Sequence, residues 1–230
     1  MFFQSQGEIS MKIGNIPEIN RNDRLICGLV NDCSTSMTEK NRIAELNQGH
    51  IILDQELKSN ELTAMRVRLK NYSLGGNNEV ISDSKWTDAL DYCPPSLVAN
   101  GWTPLGKAMR QVLHDVIDES QQLRSQGIGS YVPWIFCFCD GMPTDDWENV
   151  ADECYAATEQ GKVIIWPIGI GKGADLNVLQ SFSKYPALAL NEAKWSELFL
   201  WIKDSLQSVA ASQPGEMISV PSPDKFIVPA

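Results

Sequence analysis

Residues 29 to 37 read LVNDCSTSM, which puts Asp32, Ser34 and Ser36 at every second position behind an apolar run. Farther along, NGWTPLG (100 to 106) offers Thr103 just ahead of a helical stretch. The apolar run WIFCFCDG (134 to 141) ends on Asp140, with Gly141 behind it. Two carboxylates and three hydroxyls are all hard oxygen donors, and such a set suits Mg²⁺ in octahedral geometry with water completing the shell, or alternatively Mn²⁺ or Ca²⁺. Ser, Thr and Asp also gather at strand and helix ends as caps and turn formers. That explains each residue singly but not the set.

The elements that must bring these residues together follow from periodicity. From Arg24 onward, short apolar runs alternate with longer stretches of helical period, the pattern of an α/β domain around a mainly parallel sheet. RLICGLVN (24 to 31) reads as a buried strand, and 38 to 57 as a helix carrying Ile43, Leu46, His50, Leu53 and Leu57 on one stripe. TAMRVRLKNYS (63 to 73) alternates as a strand with one wetter face, and GGNN turns it into EVISDSKW, a short antiparallel partner. CPPSLVANGW is a loop. Thr103 and Pro104 then read as the N-cap and first residue of a helix running to Gly127.

VPWIFCFCD, apolar throughout, is a central strand. Asp145 with Glu148 forms a capping box for a helix closed at Gly161. KVIIWPIGI is another strand, DLNVLQSFS a short helix, ALAL an edge strand, and 195 to 209 a last amphipathic helix. In open α/β sheets, ligands collect outside the carboxyl ends of parallel strands, so Asp32 and Asp140 are expected at one edge. Residues 1 to 21 form an N-terminal extension, 22 to 210 the domain, and 211 to 230 a proline-containing tail, extended and apart from the sheet. The tail's apolar FIV (226 to 228) could dock on the domain or on a second copy.

Composition narrows the function. A chain of 230 residues with 43% hydrophobic residues can bury a sizeable core. Its formal net charge of -10, with no basic cluster, argues against nucleic acid as a partner. Six cysteines, mostly inside apolar segments, read as buried thiols in a reducing compartment. Met1 to Ser10 has no basic n-region and no apolar run reaches membrane-spanning length, so neither a signal peptide nor a membrane partner is expected, and the location is cytoplasmic.

Other features point to packing rather than chemistry. Cys137 and Cys139 share a buried strand without a second pair of metal-ligand type, and Cys33 points away from its hydroxyl neighbours. IGIGKGADL (168 to 176) has neither of the usual phosphate-loop spacings. His114 lies on a polar stripe and His50 near an apolar one, which leaves a Ser-His-Asp reading without support.

Together, Asp32-x-Ser34-x-Ser36, the distant Thr103, and Asp140 at the end of a later strand resemble the metal-ion-dependent adhesion site of von Willebrand factor A (VWA) domains, over residues 22 to 210. The resemblance implies a Rossmann-like α/β fold, with a mostly parallel sheet, one antiparallel edge strand and helices on both faces. It implies a metal held by Asp32, Ser34, Ser36, Thr103 and Asp140, no catalysis, and a protein ligand whose Glu or Asp completes the metal shell. PPSLVANGWTPLGKAM and CDGMPTDDW look like the bacterial tellurite-resistance-associated TerY-type members. That likeness implies a bacterial or phage setting and a phosphatase, kinase-like protein or other Ter-system component as partner. Thr35 stands where many relatives have Gly. No Cys follows Cys154, so the cysteine-rich zinc-binding extension of some TerY-type chains is not expected in this sequence. The rival class is a metal-dependent phosphoester hydrolase with Asp145 or Asp146 as base; a third is a structural adaptor with a vestigial metal site.

Overall fold

The computed structural model describes residues 20 to 140 and 142 to 228. Seven strands form one sheet: β1 (Leu25–Asp32), β2 (Val67–Gly75), β3 (Glu79–Ser82), β4 (Thr87–Asp88), β5 (Trp134–Cys139), β6 (Ile164–Ile170) and β7 (Leu188–Leu190). Their order is β3-β2-β1-β5-β6-β7, with β4 also paired to β2. All pairings are parallel from β2 through β1, β5 and β6 to β7, while β3 and β4 run antiparallel to β2. β1 is buried along its whole length, as a strand covered on both faces must be.

The period of two in these strands divides the core. Leu25, Cys27 and Leu29 of β1, with Trp134, Phe136 and Phe138 of β5, face helices α1 (Arg42–Lys58) and α6 (Trp195–Ala211). Ile26 and Val30, with Ile135, Cys137 and Cys139, face α3 (Leu105–Ser125) and α4 (Glu148–Glu159). Two short helices, α2 (Glu61–Arg66) and α5 (Leu176–Gln180), complete the set. Phe138 stacks on Phe199 of α6 with ring centroids 5.5 Å apart. Helices thus cover both faces, and the carboxyl ends of β1, β2, β5, β6 and β7 share one edge of the sheet.

Several elements differ from expectation. Residues 63 to 66 belong to α2, whose Asn60 side chain accepts from Thr63 N, so the alternation becomes a strand only at Val67. A 3-10 segment, Thr35–Asn41, occupies the first part of the expected long helix. The capping box at Asp145 does not form. Asp145 instead accepts from the backbone N–H groups of Gly106 (3.0 Å) and Lys107 (2.8 Å), at the start of α3, and α4 begins after Trp147 without a side-chain cap. α3 itself starts at Leu105, so Thr103 is not its cap.

The segment after Ser212 is not apart from the sheet. Ile227 bridges Leu190 of β7 in antiparallel fashion, Asn191 N donates to Phe226 O at 2.8 Å, and Val228 N donates to Ala189 O at 2.8 Å. Phe226 is fully buried beside Trp201, with centroids 5.2 Å apart. The physical reason is that β7 would otherwise expose an unpaired edge over apolar side chains. The N-terminal extension lies outside the described residues except for Asn20 and Arg21, and so does Gly141. Among the described residues no helix is long and apolar enough to cross a membrane.

Candidate metal centre

β1 and β5 lie side by side in parallel and pair as far as Asn31 and Phe138, so Asp32, one residue on, and Asp140, two residues on, arrive at the same edge of the sheet. Asp32 is fully buried and Asp140 is buried. Ser34 N donates to Asp32 Oδ1 at 2.8 Å, turning the chain so that Ser34 and Ser36 face inward. Their hydroxyls are 2.9 Å apart; Ser36 Oγ donates to Asp140 Oδ1 at 2.6 Å, and Ser34 Oγ lies 3.4 Å from the same oxygen. Asp140 N and Cys139 Sγ each donate to Asp32 Oδ2 at 3.3 Å. Four of the five expected residues therefore form one hydrogen-bonded cluster.

Thr103 is buried at the same edge and is placed by backbone rather than by contact with the four. Its carbonyl accepts from Thr144 N at 2.9 Å, which ties its loop to the segment following Asp140. Two residues earlier, Gly101 N donates to Thr35 Oγ1 at 3.0 Å, and Thr35 N donates back to Gly101 O at 3.1 Å. Thr35, between the two serines, thus clasps the Thr103 loop through a hydroxyl that Gly would lack. Gly101 has φ +78°, and a Cβ there would collide with the Gly76 carbonyl, so only glycine lets the two loops approach so closely.

Burial, and then the neighbouring Asp140 carboxylate, raise the Asp32 carboxyl to about 6, against the opposing hydrogen bonds from Ser34 and the Asp140 backbone. No basic side chain among the described residues pairs with Asp32. Nor do three or more His, Cys, Asp and Glu side chains among those residues gather to hold a metal ion. Any ion here must be completed by hydroxyls and water, and the donors present, two carboxylates beside serine hydroxyls, fit a hard divalent cation.

Arg42 is the residue the motif reading missed. It is buried, and its Nη1 donates to Asp140 Oδ2 at 2.9 Å while Nε donates to Glu192 Oε1 at 2.6 Å. Its position at the start of a helix, six residues after Ser36, looks in sequence like an ordinary solvated basic residue. The other chemistry-bearing types settle into packing. His50 is fully buried and hydrogen-bonded to Asn31 Oδ1 (2.7 Å) and Tyr92 OH (3.2 Å). His114 is exposed and meets Glu153 at 2.9 Å. All the cysteines but Cys93 are buried; burial pushes the Cys33 and Cys154 thiols up to about 12, where they stay protonated.

Neither a protein-family model nor a curated protein matches the sequence. Solved structures do match. Proximal thread matrix protein 1 from the mussel byssus aligns with 81% of this chain and 48% of its own at 15% identity and TM-score 0.57, and another structure of it has a zinc-occupied MIDAS motif. The ArnB paralog VWA2 from Sulfolobus acidocaldarius aligns at 16% identity over 80% of this chain and 45% of its own, with TM-score 0.53. The pilus adhesin SpaC from Lactobacillus rhamnosus GG aligns at 13% identity over 81% of this chain and 31% of its own, with TM-score 0.61. This chain thus spans less than half the length of each. At such identities the likeness shows the fold, the mixed α/β architecture of VWA-domain proteins.

Proposed function

We propose that this chain is a metal-dependent protein-interaction module in which Asp32, Ser34, Ser36, Thr103 and Asp140 hold a divalent cation, Mg²⁺ in the first instance. The observation that carries the reading is the convergence of two buried carboxylates and two serine hydroxyls at one point of the sheet edge, with no basic partner on Asp32 among the described residues. Hydroxyl ligands are neutral, so a bound divalent ion would keep enough positive charge to attract an acidic side chain from outside. The partner is then a protein presenting Glu or Asp. The motif likeness to TerY-type chains favours a cytoplasmic bacterial or phage setting and a phosphatase, kinase-like or Ter-system partner.

A hydrolytic reading needs a base beside the ion. The first candidate, Asp145, already accepts two backbone N–H groups at the start of α3, a role that explains its carboxylate without chemistry. The test of the interaction reading is affinity capture from the native host with and without chelator, read by mass spectrometry. The partner should be recovered with Mg²⁺, lost in EDTA, and lost with Asp32→Ala and Thr103→Ala. A partner retained equally under all these conditions contradicts the reading.

A further inference from the structure

The Arg42 guanidinium is held with more care than one helix-opening arginine requires. Lys40 and Asn41 before it have φ +48° and +63°, a left-handed pair that is unfavourable for lysine and that turns the chain back toward the sheet. Beyond its bonds to Asp140 and Glu192, its Nη1 lies 3.6 Å from Glu39. Glu192 also pairs with Lys40 at 2.6 Å. Gly171, just past β6, has φ +77°, and a Cβ there would collide with the guanidinium. The turn before α1 and the ends of β5, β6 and β7 are therefore all shaped around one fixed charge.

That charge divides Asp140 in two. Oδ2 faces Arg42, while Oδ1 receives the hydroxyls of Ser36 and Ser34. A guanidinium cannot lose its proton, so the positive charge is permanent. We propose that Arg42 is a built-in counter-cation of the metal centre, which orients Asp140 toward the hydroxyls and holds metal affinity low until a partner carboxylate arrives. The inference rests on the metal reading above. With Arg42 counted, the two aspartates and the guanidinium carry one net negative charge. A divalent ion turns that into one net positive charge, and a single carboxylate from outside neutralises it. Glu192, on the far side of the guanidinium, offsets part of its charge and so sets how strongly Arg42 opposes the ion.

The test measures Mn²⁺ binding to the full chain by loss of the free-ion paramagnetic resonance signal, with thermal melting in EDTA and in Mn²⁺. Arg42→Gln should bind Mn²⁺ about tenfold tighter, since a like charge has been removed from the ion's neighbourhood. It should melt below the wild type in EDTA and recover in Mn²⁺, because the ion then supplies the cation Asp140 has lost. Arg42→Lys loses the fork that spans Asp140 and Glu192 but keeps the positive charge, so its Mn²⁺ binding should remain within about threefold of wild type. Glu192→Gln should weaken binding by several-fold. A folded Arg42→Gln with unchanged or weaker binding overturns the inference. If that variant does not fold, Glu192→Gln decides, and unchanged or tighter binding overturns it equally. Failure of the wild type and every variant to bind Mn²⁺ would instead sink the metal reading, and this inference with it.

Discussion

His50 shows how far a single residue is determined by its surroundings. It sits on the buried face of α1, bonded to Asn31 of β1 and Tyr92, and burial lowers its imidazole to about 3. The unfolded chain takes up a proton at this residue near its ordinary value of 6.5, whereas the folded chain does so only near 3. The neutral-His contribution to stability is therefore complete above pH 6.5 and is lost progressively as pH falls from 6.5 toward 3. His50→Gln should flatten that part of the pH–stability profile measured by urea unfolding. An unchanged slope would mean that His50 is not the group responsible. The apolar stripe made its burial legible in sequence, and the alternation Asp32-Ser34-Ser36 made most of the hydrogen-bonded cluster at the sheet edge legible too. Arg42 was not legible, because its importance arises from residues about a hundred and a hundred and fifty positions away meeting at the sheet edge.

At the level of elements, β1, β5 and β6 were legible because continuous apolar runs between turn residues leave little choice, and α3 and α6 because their apolar stripes are long. Helix starts were less so. Local spacing points to a cap on the adjacent helix, but Asp145 caps α3, 39 and 38 residues away at Gly106 and Lys107, in preference to its own helix. This long-range cap also fastens the segment after Asp140 to the helix that follows Thr103, so it helps set the spacing of two proposed metal-binding segments. Asp145→Ala should cost about 1 kcal/mol, the usual loss for a removed N-cap. For a chain of this size that corresponds to roughly 2–4 °C in melting temperature. A melting temperature equal to wild type would show the cap to be dispensable.

At the scale of the whole molecule, the C-terminal segment changes the expected picture. In sequence its prolines and lack of period point to a detached tail whose removal leaves the thermal transition nearly unchanged, because a single bridge between Leu190 and Ile227 and one buried aromatic are too short a signal to read. In the structure Phe226 fills the space beside Trp201, whose Nε1 donates to Pro221 O at 2.7 Å, and the segment covers the open edge of β7. Phe226→Ala should therefore cost about 3–5 kcal/mol, as for other fully buried aromatics, or roughly 6–20 °C in melting temperature. A loss of under a degree would return the segment to the status of a tail. The same edge carries Glu192 two residues after β7, so the segment also borders the charge that steadies Arg42.

The proposed cation site lies at the strand ends of a mostly parallel sheet and draws on segments more than a hundred residues apart. The most direct measurement of that account is an anomalous difference map from crystals soaked in Mn²⁺, compared with the same soak of Asp32→Asn. The account predicts one strong peak per chain within bonding distance of Ser34 Oγ, Ser36 Oγ and Asp140 Oδ1, with Arg42 still on Asp140 Oδ2, and no such peak in the variant. No peak among these oxygens at high Mn²⁺ concentration, or an equal peak in Asp32→Asn, would contradict it.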